Sequence, residues 1–365
     1  MHVLQIVPRY FPNIGGVEIV VQKISETLVQ RGIRATIYTV DMNPDLPRVQ
    51  NINGVLVKRF ISLLGDPFYL PEPRFVAALR LETADIIHVH NVHILQPFVA
   101  VLFKNKGQKL VLQPHYHRFG QTPLRDALLK LYRYNVNEIV FPRVNLAIAN
   151  SAYEKRILLE DFSKCKNPIL IPEGMEIDEV RQVKHAPVTP KRILYVGALR
   201  NYKNVDKVIK GFALLVKKSG PVFRLVIVGK GPEHKSLVDL VDHLGIASFV
   251  EWKHDLPREQ LLSEYAKASV FILLSYLESF SRAVYDALLI NVPVVVLNYG
   301  PLETLINARL AEGVSSLGPQ EVADALLKAM NRTCVDAADV TGSFLDWPEY
   351  ADRLIRAYND LLKQQ

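Results

Sequence analysis

The chain predicts an α/β fold built from two Rossmann-like domains. Short apolar runs that suit buried strands alternate with helical patterns, and this alternation starts again in the second half of the chain. Apolar strands that alternate with helices are typical of parallel sheets covered by helices on both faces. A length of 365 residues fits two domains. The polar, proline-bearing stretch 183–191 indicates the linker between them.

Each predicted element follows from its own local pattern. The predicted strands are Val3–Val7, Ala35–Val40, Val55–Phe60, Ile86–Val89, Leu110–Gln113, Leu146–Ala149, Arg192–Val196, Arg224–Val228, Phe249–Trp252, Val270–Leu274 and Val294–Leu297. The predicted helices are Gly16–Arg31, Phe75–Leu81, Asn204–Lys217, His234–Leu244, Arg258–Lys267, Ser281–Leu289 and Gln320–Met330. We place an N-terminal domain at 1–185, a C-terminal domain at 186–346 and a final helix at 347–365.

The composition argues against several classes of protein. Two cysteines, Cys165 and Cys334, are too few for a disulfide framework and lack metal-ligand spacing. No apolar run approaches the ~20 residues that a membrane span needs. The first residues have the pattern of a core strand rather than that of a secretory signal. We therefore expect a cytoplasmic protein.

Positive charge is concentrated in the first half. The net charge is +7, and residues 104–166 carry twelve Lys or Arg against five Asp or Glu. Such a region could face nucleic acid, anionic lipid or a phosphorylated acceptor, or it could be an ordinary soluble surface. Within it, 118–133 mixes apolar with basic residues, which suits either a membrane-surface helix or a helix that covers the sheet. The residues concerned are Arg118, Leu124, Arg125, Leu128, Lys130, Leu131, Tyr132 and Arg133.

Two carboxylates, Glu278 and Asp286, bracket a predicted helix start at Ser281–Arg282. The first turn of a helix presents unpaired N–H groups and a positive dipole end, where a phosphate can bind. One carboxylate could then meet a sugar hydroxyl and the other a ribose, which suits a nucleotide-sugar. Taken alone, such an acidic pair is more often a helix cap and a solvated face.

Glycines follow two of the predicted strands. Gly15 and Gly16 could let the backbone approach a phosphate, or could simply form a tight strand-to-helix turn. Gly229 begins a Gly-x-Gly sequence, but Pro232 takes the place of the third glycine in a dinucleotide-binding fingerprint. We therefore do not predict a bound NAD.

Histidines cluster near two strand ends of the first half. His88 and His90 share one strand face, but no convincing third metal ligand accompanies them, so core histidines are the simpler interpretation. His115 follows the next strand, where a neutral imidazole could contact a sugar hydroxyl or steer an acceptor. His117 is the alternative candidate, and a structural role is open for both.

Taken in order, these motifs resemble the retaining GT-B glycosyltransferases, and glycosyltransferase family 4 in particular. Glu278 and Asp286 are similar to the family's E-x7-E motif, with Asp in place of the second Glu. The sequence 193–204 is similar to the family's VGRLxxxKG loop, in which Lys203 matches the lysine and Ala198 stands at the arginine position. The resemblance spans nearly the whole chain and ends on a helix that begins at Trp347. It implies two Rossmann-like domains facing across a cleft, with the C-terminal helix returning to the N-terminal domain.

The resemblance also implies roles for individual residues. His115, Lys203 and Glu278 would be catalytic, and the donor diphosphate would be held by Gly15, Gly16, Arg200, Lys203, Ser281 and Arg282. Glu278 would bind the donor sugar and Asp286 the ribose, while Gly229, His254 and Leu256 would lie near the nucleotide base. No metal and no cofactor are implied, because cationic side chains can stabilise the departing diphosphate.

The implied reaction transfers a sugar from a nucleoside-diphosphate sugar to the hydroxyl of a glycan, lipid-linked or polysaccharide acceptor, with retention of configuration. Partners would be the sugar nucleotide, that acceptor and an anionic membrane surface contacted through 118–133, but no nucleic acid. Two alternatives remain open. One is a sugar-nucleotide epimerase or hydrolase on the same fold, and the other is a non-catalytic binding module, which Ala198 and Asp286 favour.

Overall fold

The chain forms two compact units. The computed structural model describes residues 1–13, 15–41, 43, 45–65, 68–118, 123–332 and 344–364, except for the side chains of 123–128. Unit 1 comprises Met1–Met175 and Phe344–Gln365, and unit 2 comprises Glu176–Ser343. The first boundary lies ten residues before the one that the linker pattern suggested, because the short helix that follows Met175 packs on another helix of unit 2.

Unit 1 is built on one mixed sheet of nine strands. Its order is β3-β4-β2-β1-β6-β7-β8-β9, with β5 paired to β4. All neighbouring pairs are parallel except those that β3 and β5 make with β4. The strands are β1 (His2–Val7), β2 (Arg34–Asp41), β3 (Val49–Ile52), β4 (Val55–Leu64), β5 (Leu70–Pro71), β6 (Ile86–His90), β7 (Lys109–Gln113), β8 (Leu146–Ala149) and β9 (Ile169–Leu170).

Helices cover both faces of this sheet. Alternate residues of a strand point to opposite faces, and in β1 Leu4 and Ile6 join one apolar cluster while Val3 and Val7 join the other. The helices of the first segment are α1 (Gly16–Gln30), α2 (Pro73–Leu81), α3 (Gln96–Phe103), α4 (Pro123–Asn135) and α5 (Ala152–Asp161). A π-helical turn (Val136–Val140) and a 3₁₀ turn (Phe141–Arg143) follow α4.

Unit 2 contains a six-stranded sheet that is parallel throughout. Two short elements precede this sheet in the chain. They are the strand β10 (Gly174–Met175), which belongs to unit 1, and the helix α6 (Ile177–Arg181). Its strands are β11 (Lys191–Val196), β12 (Phe223–Val228), β13 (Val250–Lys253), β14 (Val270–Leu273), β15 (Val294–Leu297) and β16 (Glu312–Val314). Their order, β13-β12-β11-β14-β15-β16, is that of a Rossmann fold. The covering helices are α7 (Val205–Ser219), α8 (His234–His243), α9 (Arg258–Lys267), α10 (Arg282–Leu289), α11 (Glu303–Asn307) and α12 (Pro319–Met330).

The C-terminal helix belongs to unit 1, as the sequence predicted. The strand β17 (Leu345–Asp346) pairs in parallel with β10, and α13 (Trp347–Lys363) follows it. Asp346 caps the helix by accepting a hydrogen bond from the Glu349 N–H at 2.7 Å. Buried Tyr350, Leu354 and Tyr358 place its apolar face in the same cluster as Val3 and Val7. No helix in the described part of the chain has both the length and the apolarity that crossing a membrane requires.

Two glycines of unit 2 allow neighbouring loops to pack backbone against backbone. A Cβ on Gly229 would lie 1.9 Å from the Gly197 carbonyl oxygen, and a Cβ on Gly231 would lie 2.1 Å from that of Leu199. Both distances are far below van der Waals contact. The Gly-x-Gly sequence therefore holds the loop after β11 against the turn after β12.

The Gly229→Ala variant should lose about 1–3 kcal/mol of stability, because the added methyl group must displace backbone rather than a flexible side chain. Gly318→Ala is the matched control, since its nearest neighbour would be the Ser316 hydroxyl at 3.5 Å. Thermal unfolding of both variants measures the difference. Equal melting temperatures would contradict the packing role of Gly229.

Candidate active site

Each sheet reverses its strand order at one point, and several of the predicted site residues lie on loops beside the reversal of their own sheet. In unit 2 the reversal lies between β11 and β14, and in unit 1 it lies between β1 and β6. Loops that leave the carboxyl ends of strands on either side of such a reversal diverge and leave a crevice. The loops after β11 and β14 carry Lys203 and Glu278, and the loop after β1 carries Gly15 and Gly16.

Lys203 and Glu278 form a largely buried ion pair. Lys203 Nζ lies 2.5 Å from Glu278 Oε1, and the two side chains are 14% and 11% exposed. The Tyr276 N–H also donates to the Tyr202 carbonyl at 3.0 Å, which ties the two loops together. Burial acts to lower the pKa of Lys203, but the charge and hydrogen bond of Glu278, together with Tyr202, outweigh it, so the pKa is raised and the ammonium is kept. The pair thus fixes an ammonium group beside a carboxylate at the reversal point.

Arg200 offers a second cation in the same loop. Its half-buried guanidinium forms no ion pair or side-chain hydrogen bond within the part of the chain that the structure describes. Ala198 is exposed, and its carbonyl accepts a hydrogen bond from the Tyr195 hydroxyl at 3.0 Å. Arg200 is therefore available to an anion, whereas the loop has no cation at position 198.

Helix α10 starts without a side-chain cap. Ser281, the residue before it, has a φ of 95°, a value that residues with a side chain rarely adopt. Strained backbone of this kind tends to occur at functional sites. Arg282, the first residue of the helix, forms an ion pair with Glu176. The start of α10, four residues after Glu278 and without a side-chain cap, suits an anion.

Asp286 is paired with an arginine that the sequence analysis did not single out. Arg258, the first residue of α9, donates two hydrogen bonds to its carboxylate, at 2.6 and 2.8 Å. Asp286 is only 4% exposed, and Arg258 also lies 3.6 Å from Glu179. The Asp286 carboxylate therefore lies in a bidentate ion pair with Arg258. Its predicted contact with the ribose of the donor stays a prediction.

The residues predicted near the base lie on two loops of unit 2, after β12 and after β13. Gly229 is explained by backbone packing against Gly197. His254 is exposed and lies 3.2 Å from Asp255, which is also paired with Lys230. Leu256 is half-buried on the same loop as His254. Contact between these three residues and a nucleotide base stays a prediction.

In unit 1, Gly15 and Gly16 open helix α1 beside a buried acid. Glu18 in its first turn is 6% exposed and accepts a hydrogen bond from Arg9 Nε at 3.0 Å. A Cβ on Gly15 would lie 2.3 Å from Glu18 Oε2, the end of a flexible side chain, whereas Gly16 has open space around it. Gly15 has an extended backbone with a φ of -157°, so the turn itself does not require glycine, and a phosphate contact stays a prediction for both residues.

A buried polar row follows the carboxyl ends of β6, β7 and β8. His88 bonds the Tyr358 hydroxyl at 2.7 Å, and His90 bonds Gln5 at the same distance. The rings of His90 and His115 lie 5.8 Å apart. Burial lowers the pKa of His88 to about 3 and that of His115 to about 4, so both are neutral at pH 7. His117 instead stacks on His93, with ring centroids 4.1 Å apart.

Much of the stretch 118–133 cannot be compared with its prediction. Leu124, Arg125 and Leu128 lie outside the residues whose side chains the structure describes, as does Cys334. Arg118 is paired with Asp161 at 2.9 Å, and Arg133 lies 3.7 Å from the same carboxylate. Lys130 and Leu131 are exposed. Within the described ranges, no group of three or more His, Cys, Asp or Glu could hold a metal ion.

Two family models together match most of the chain. Residues 14–179 match Glycosyltransferase Family 4, and residues 176–337 match Glycosyl transferases group 1. The two matches meet where unit 1 gives way to unit 2. The chain is a family 4 glycosyltransferase with the GT-B fold.

Similar proteins agree with that assignment. The glycosyltransferase is 25% identical to the D-inositol 3-phosphate glycosyltransferase of Nocardia farcinica, over 95% of this chain and 85% of that one. It is 24% identical to the N-acetyl-alpha-D-glucosaminyl L-malate synthase of Bacillus anthracis, over 81% and 79% of the two chains.

Solved structures show the same fold. The sucrose-phosphate synthase of Thermosynechococcus elongatus superposes with a TM-score of 0.81 at 20% identity and covers 100% of both chains. Anabaena HepE in complex with UDP and glucose has a TM-score of 0.75 at 16% identity, over 99% of this chain and 100% of that one.

Sequence reasoning missed three residues that contact predicted site residues in this glycosyltransferase. Arg258 pairs with Asp286, Glu176 pairs with Arg282, and Asn150 bonds His115. Asn150 directly follows the apolar strand β8, and a polar residue at a strand's carboxyl end is a signal that could have identified it. No comparable signal marks Arg258 or Glu176, because Arg258 is the first residue of an ordinary helix and Glu176 directly precedes one.

Acidification should destabilise unit 1 of the glycosyltransferase. The folded pKa values of His88 and His115 lie below the usual value of about 6.5, so the unfolded chain binds more protons and stability falls as the pH drops below that value. At pH 5 each of these histidines should lower the free energy of unfolding by about 2 kcal/mol. Glu154 acts in the opposite direction, since burial raises its pKa to about 7.

Urea unfolding at pH 7 and pH 5 measures this loss, followed by Trp347 fluorescence in a Trp252→Phe background, because the chain has two tryptophans. The His88→Gln variant should lose less stability between the two pH values than its parent does. An equal loss in both proteins would show that His88 does not contribute.

Proposed function

We propose that this glycosyltransferase moves a sugar from a nucleoside-diphosphate sugar to an acceptor hydroxyl with retention of configuration and without a metal ion. The Lys203–Glu278 ion pair beside the uncapped start of α10 carries the proposal. It places a lysine, a carboxylate and the N-terminal end of a helix without a side-chain cap within one short region, and those groups suit a diphosphate bonded to a sugar. Two similar structures contain uridine donors, UDP-glucose in Anabaena HepE and UDP-2-fluoro glucose in an E. coli protein of trehalose 6-phosphate metabolism, which makes uridine donors the first to test.

In this proposal each group has one task. Lys203, Arg200 and the N–H groups at Ser281–Arg282 stabilise the charge that develops on the leaving diphosphate. Glu278 accepts hydrogen bonds from donor-sugar hydroxyls, and its pairing with Lys203 holds both side chains in place beforehand. His115, neutral at pH 7, lies by the transferred sugar. The departing phosphate takes the proton of the acceptor hydroxyl, so no protein nucleophile is required.

Removing the Glu278 charge should abolish transfer. We expect Glu278→Gln to lower nucleotide release by roughly 100-fold or more, because a sugar contact and the partner of buried Lys203 are lost together. The measurement is nucleotide release from UDP-glucose, UDP-N-acetylglucosamine and GDP-mannose with cell-extract acceptors, alongside thermal stabilisation by each donor.

Glu312→Gln is the matched control, since Glu312 is also a mostly buried glutamate of unit 2 paired with a lysine, at 2.6 Å from Lys328. It should keep wild-type release. Equal release by both variants would contradict the role of Glu278. Donor turnover that needs no acceptor would favour the epimerase or hydrolase alternative, and stabilisation without turnover would favour a binding module.

We also propose a lipid-linked acceptor reached from an anionic membrane surface, with exposed Lys130 and Leu131 as the contact. The wild type should sediment with phosphatidylglycerol vesicles at low salt and less so with neutral phosphatidylcholine vesicles. A Lys130→Glu variant should bind several-fold more weakly, with Lys328→Glu in unit 2 as the control. Absence of binding at low salt would exclude the membrane contact.

A further inference from the structure

His115 combines a strained backbone with an unsatisfied ring nitrogen. Its φ is 47°, in the left-handed region, and the residue is 7% exposed. Its Nε2 atom is buried without a hydrogen-bond partner in the described structure. A buried polar group that lacks a partner costs about 1–3 kcal/mol. Strain and an unpaired donor or acceptor at one residue indicate that a bound molecule supplies the missing contact.

The other ring nitrogen faces the side chain of Asn150. Asn150 Nδ2 lies 3.1 Å from His115 Nδ1, and both residues are buried. The tautomer of a neutral imidazole depends on which atom of an amide faces it, because the amide nitrogen only donates and the amide oxygen only accepts. The orientation of the Asn150 amide therefore decides where the His115 proton lies.

One neighbour fixes that orientation. The Asn150 Oδ1 atom accepts a hydrogen bond from Gln113 Nε2. The backbone around the pair is held by Glu154, whose carboxylate oxygens accept the N–H groups of Tyr116 and Asn150 at 2.6 and 2.7 Å. Because the amide oxygen accepts from Gln113, the amide nitrogen Nδ2 is directed at His115.

We propose that Asn150 is a positioning residue that holds His115 in the Nε2–H tautomer, so that the ring donates a hydrogen bond to an oxygen atom of the bound sugar. This inference rests on the proposed function for the identity of the ligand, but not for the tautomer. Because Asn150 donates to Nδ1, that nitrogen must carry its lone pair, and the single proton of the neutral ring is on Nε2.

The same hydrogen-bond row extends to the C-terminal helix. The Tyr350 hydroxyl of α13 donates to Gln113 Oε1 at 3.3 Å, which turns Gln113 Nε2 toward Asn150. Tyr350 is fully buried. Tyr350 of α13, Gln113 at the end of β7 and Asn150 directly after β8 thus act in series on one imidazole.

Nitrogen-15 NMR of histidine-labelled protein tests the tautomer directly. The His115 signals are those absent from a His115→Gln variant. We expect the wild type to show Nε2 protonated and Nδ1 unprotonated at pH 7. In Asn150→Asp, a carboxylate that only accepts should move the proton to Nδ1. Asn137→Asp, an equivalent change elsewhere in unit 1, should leave the tautomer as in the wild type.

Donor turnover tests the consequence. With whichever of the three named sugar nucleotides is turned over, Asn150→Asp should lower kcat/KM about 100-fold, because a donor at Nε2 becomes an acceptor. Asn150→Ala should show both tautomers and an intermediate loss, and it serves as the test if Asn150→Asp fails to fold. Asn137→Asp should keep full turnover.

The outcomes separate the two proposals. A wild type with the proton on Nδ1 overturns the role of Asn150, whatever the turnover. A tautomer switch that leaves kcat/KM unchanged overturns the hydrogen bond to substrate. A wild type with the expected tautomer but no turnover of any donor contradicts the proposed function and leaves the tautomer assignment supported.

Discussion

The reversal of strand order in each parallel sheet determines where chemistry can take place in this glycosyltransferase. A parallel sheet sends all its carboxyl ends to one edge, and at a reversal the two adjacent loops run apart. Lys203 follows β11, and Glu278 follows β14, the neighbouring strand on the other side of the reversal. Their ion pair thus joins residues that are 75 positions apart in the sequence. In unit 1, the edge formed by the carboxyl ends of the parallel strands carries His90, His115 and Asn150.

Burial makes the charges at this edge dependent on one another. A buried ion pair gains little over an apolar pair of equal size, but the loss of one partner leaves a charge that water cannot reach. Lys203 with Glu278 is of this kind, and so is the buried carboxylate of Asp286, whose partner Arg258 is partly exposed. Each pair therefore fixes geometry more than it adds stability. In the buried row of unit 1, hydrogen bonds between neutral side chains have the same effect on orientation.

The sequence was sufficient for the elements that bury apolar surface. Strands such as β8 and β15 and the helix α9 were predicted with their observed bounds, because an apolar run or an amphipathic period fixes them locally. The edge strand β3 was missed because its residues are mostly exposed and carry no apolar alternation. The family resemblance pointed to Lys203 and Glu278 as candidates, but not to their contact. Arg258 could not be assigned, since its partner is set by tertiary packing and not by local pattern. Asn150 has a signal in its position after β8, but that signal does not reveal its partner His115.

Unit 1 is discontinuous in sequence, because α13 completes its core after the whole of unit 2 has intervened. This has a consequence for biosynthesis. Unit 2 is contiguous and can fold as soon as its own residues have been synthesised. Until α13 is made, the sheet of unit 1 lacks Tyr350 and Tyr358, and the His88 and Gln113 side chains lack their partners. Unit 1, which contains the first half of the chain, is therefore the last to reach its native state, and its incomplete apolar face is the surface that a chaperone would encounter.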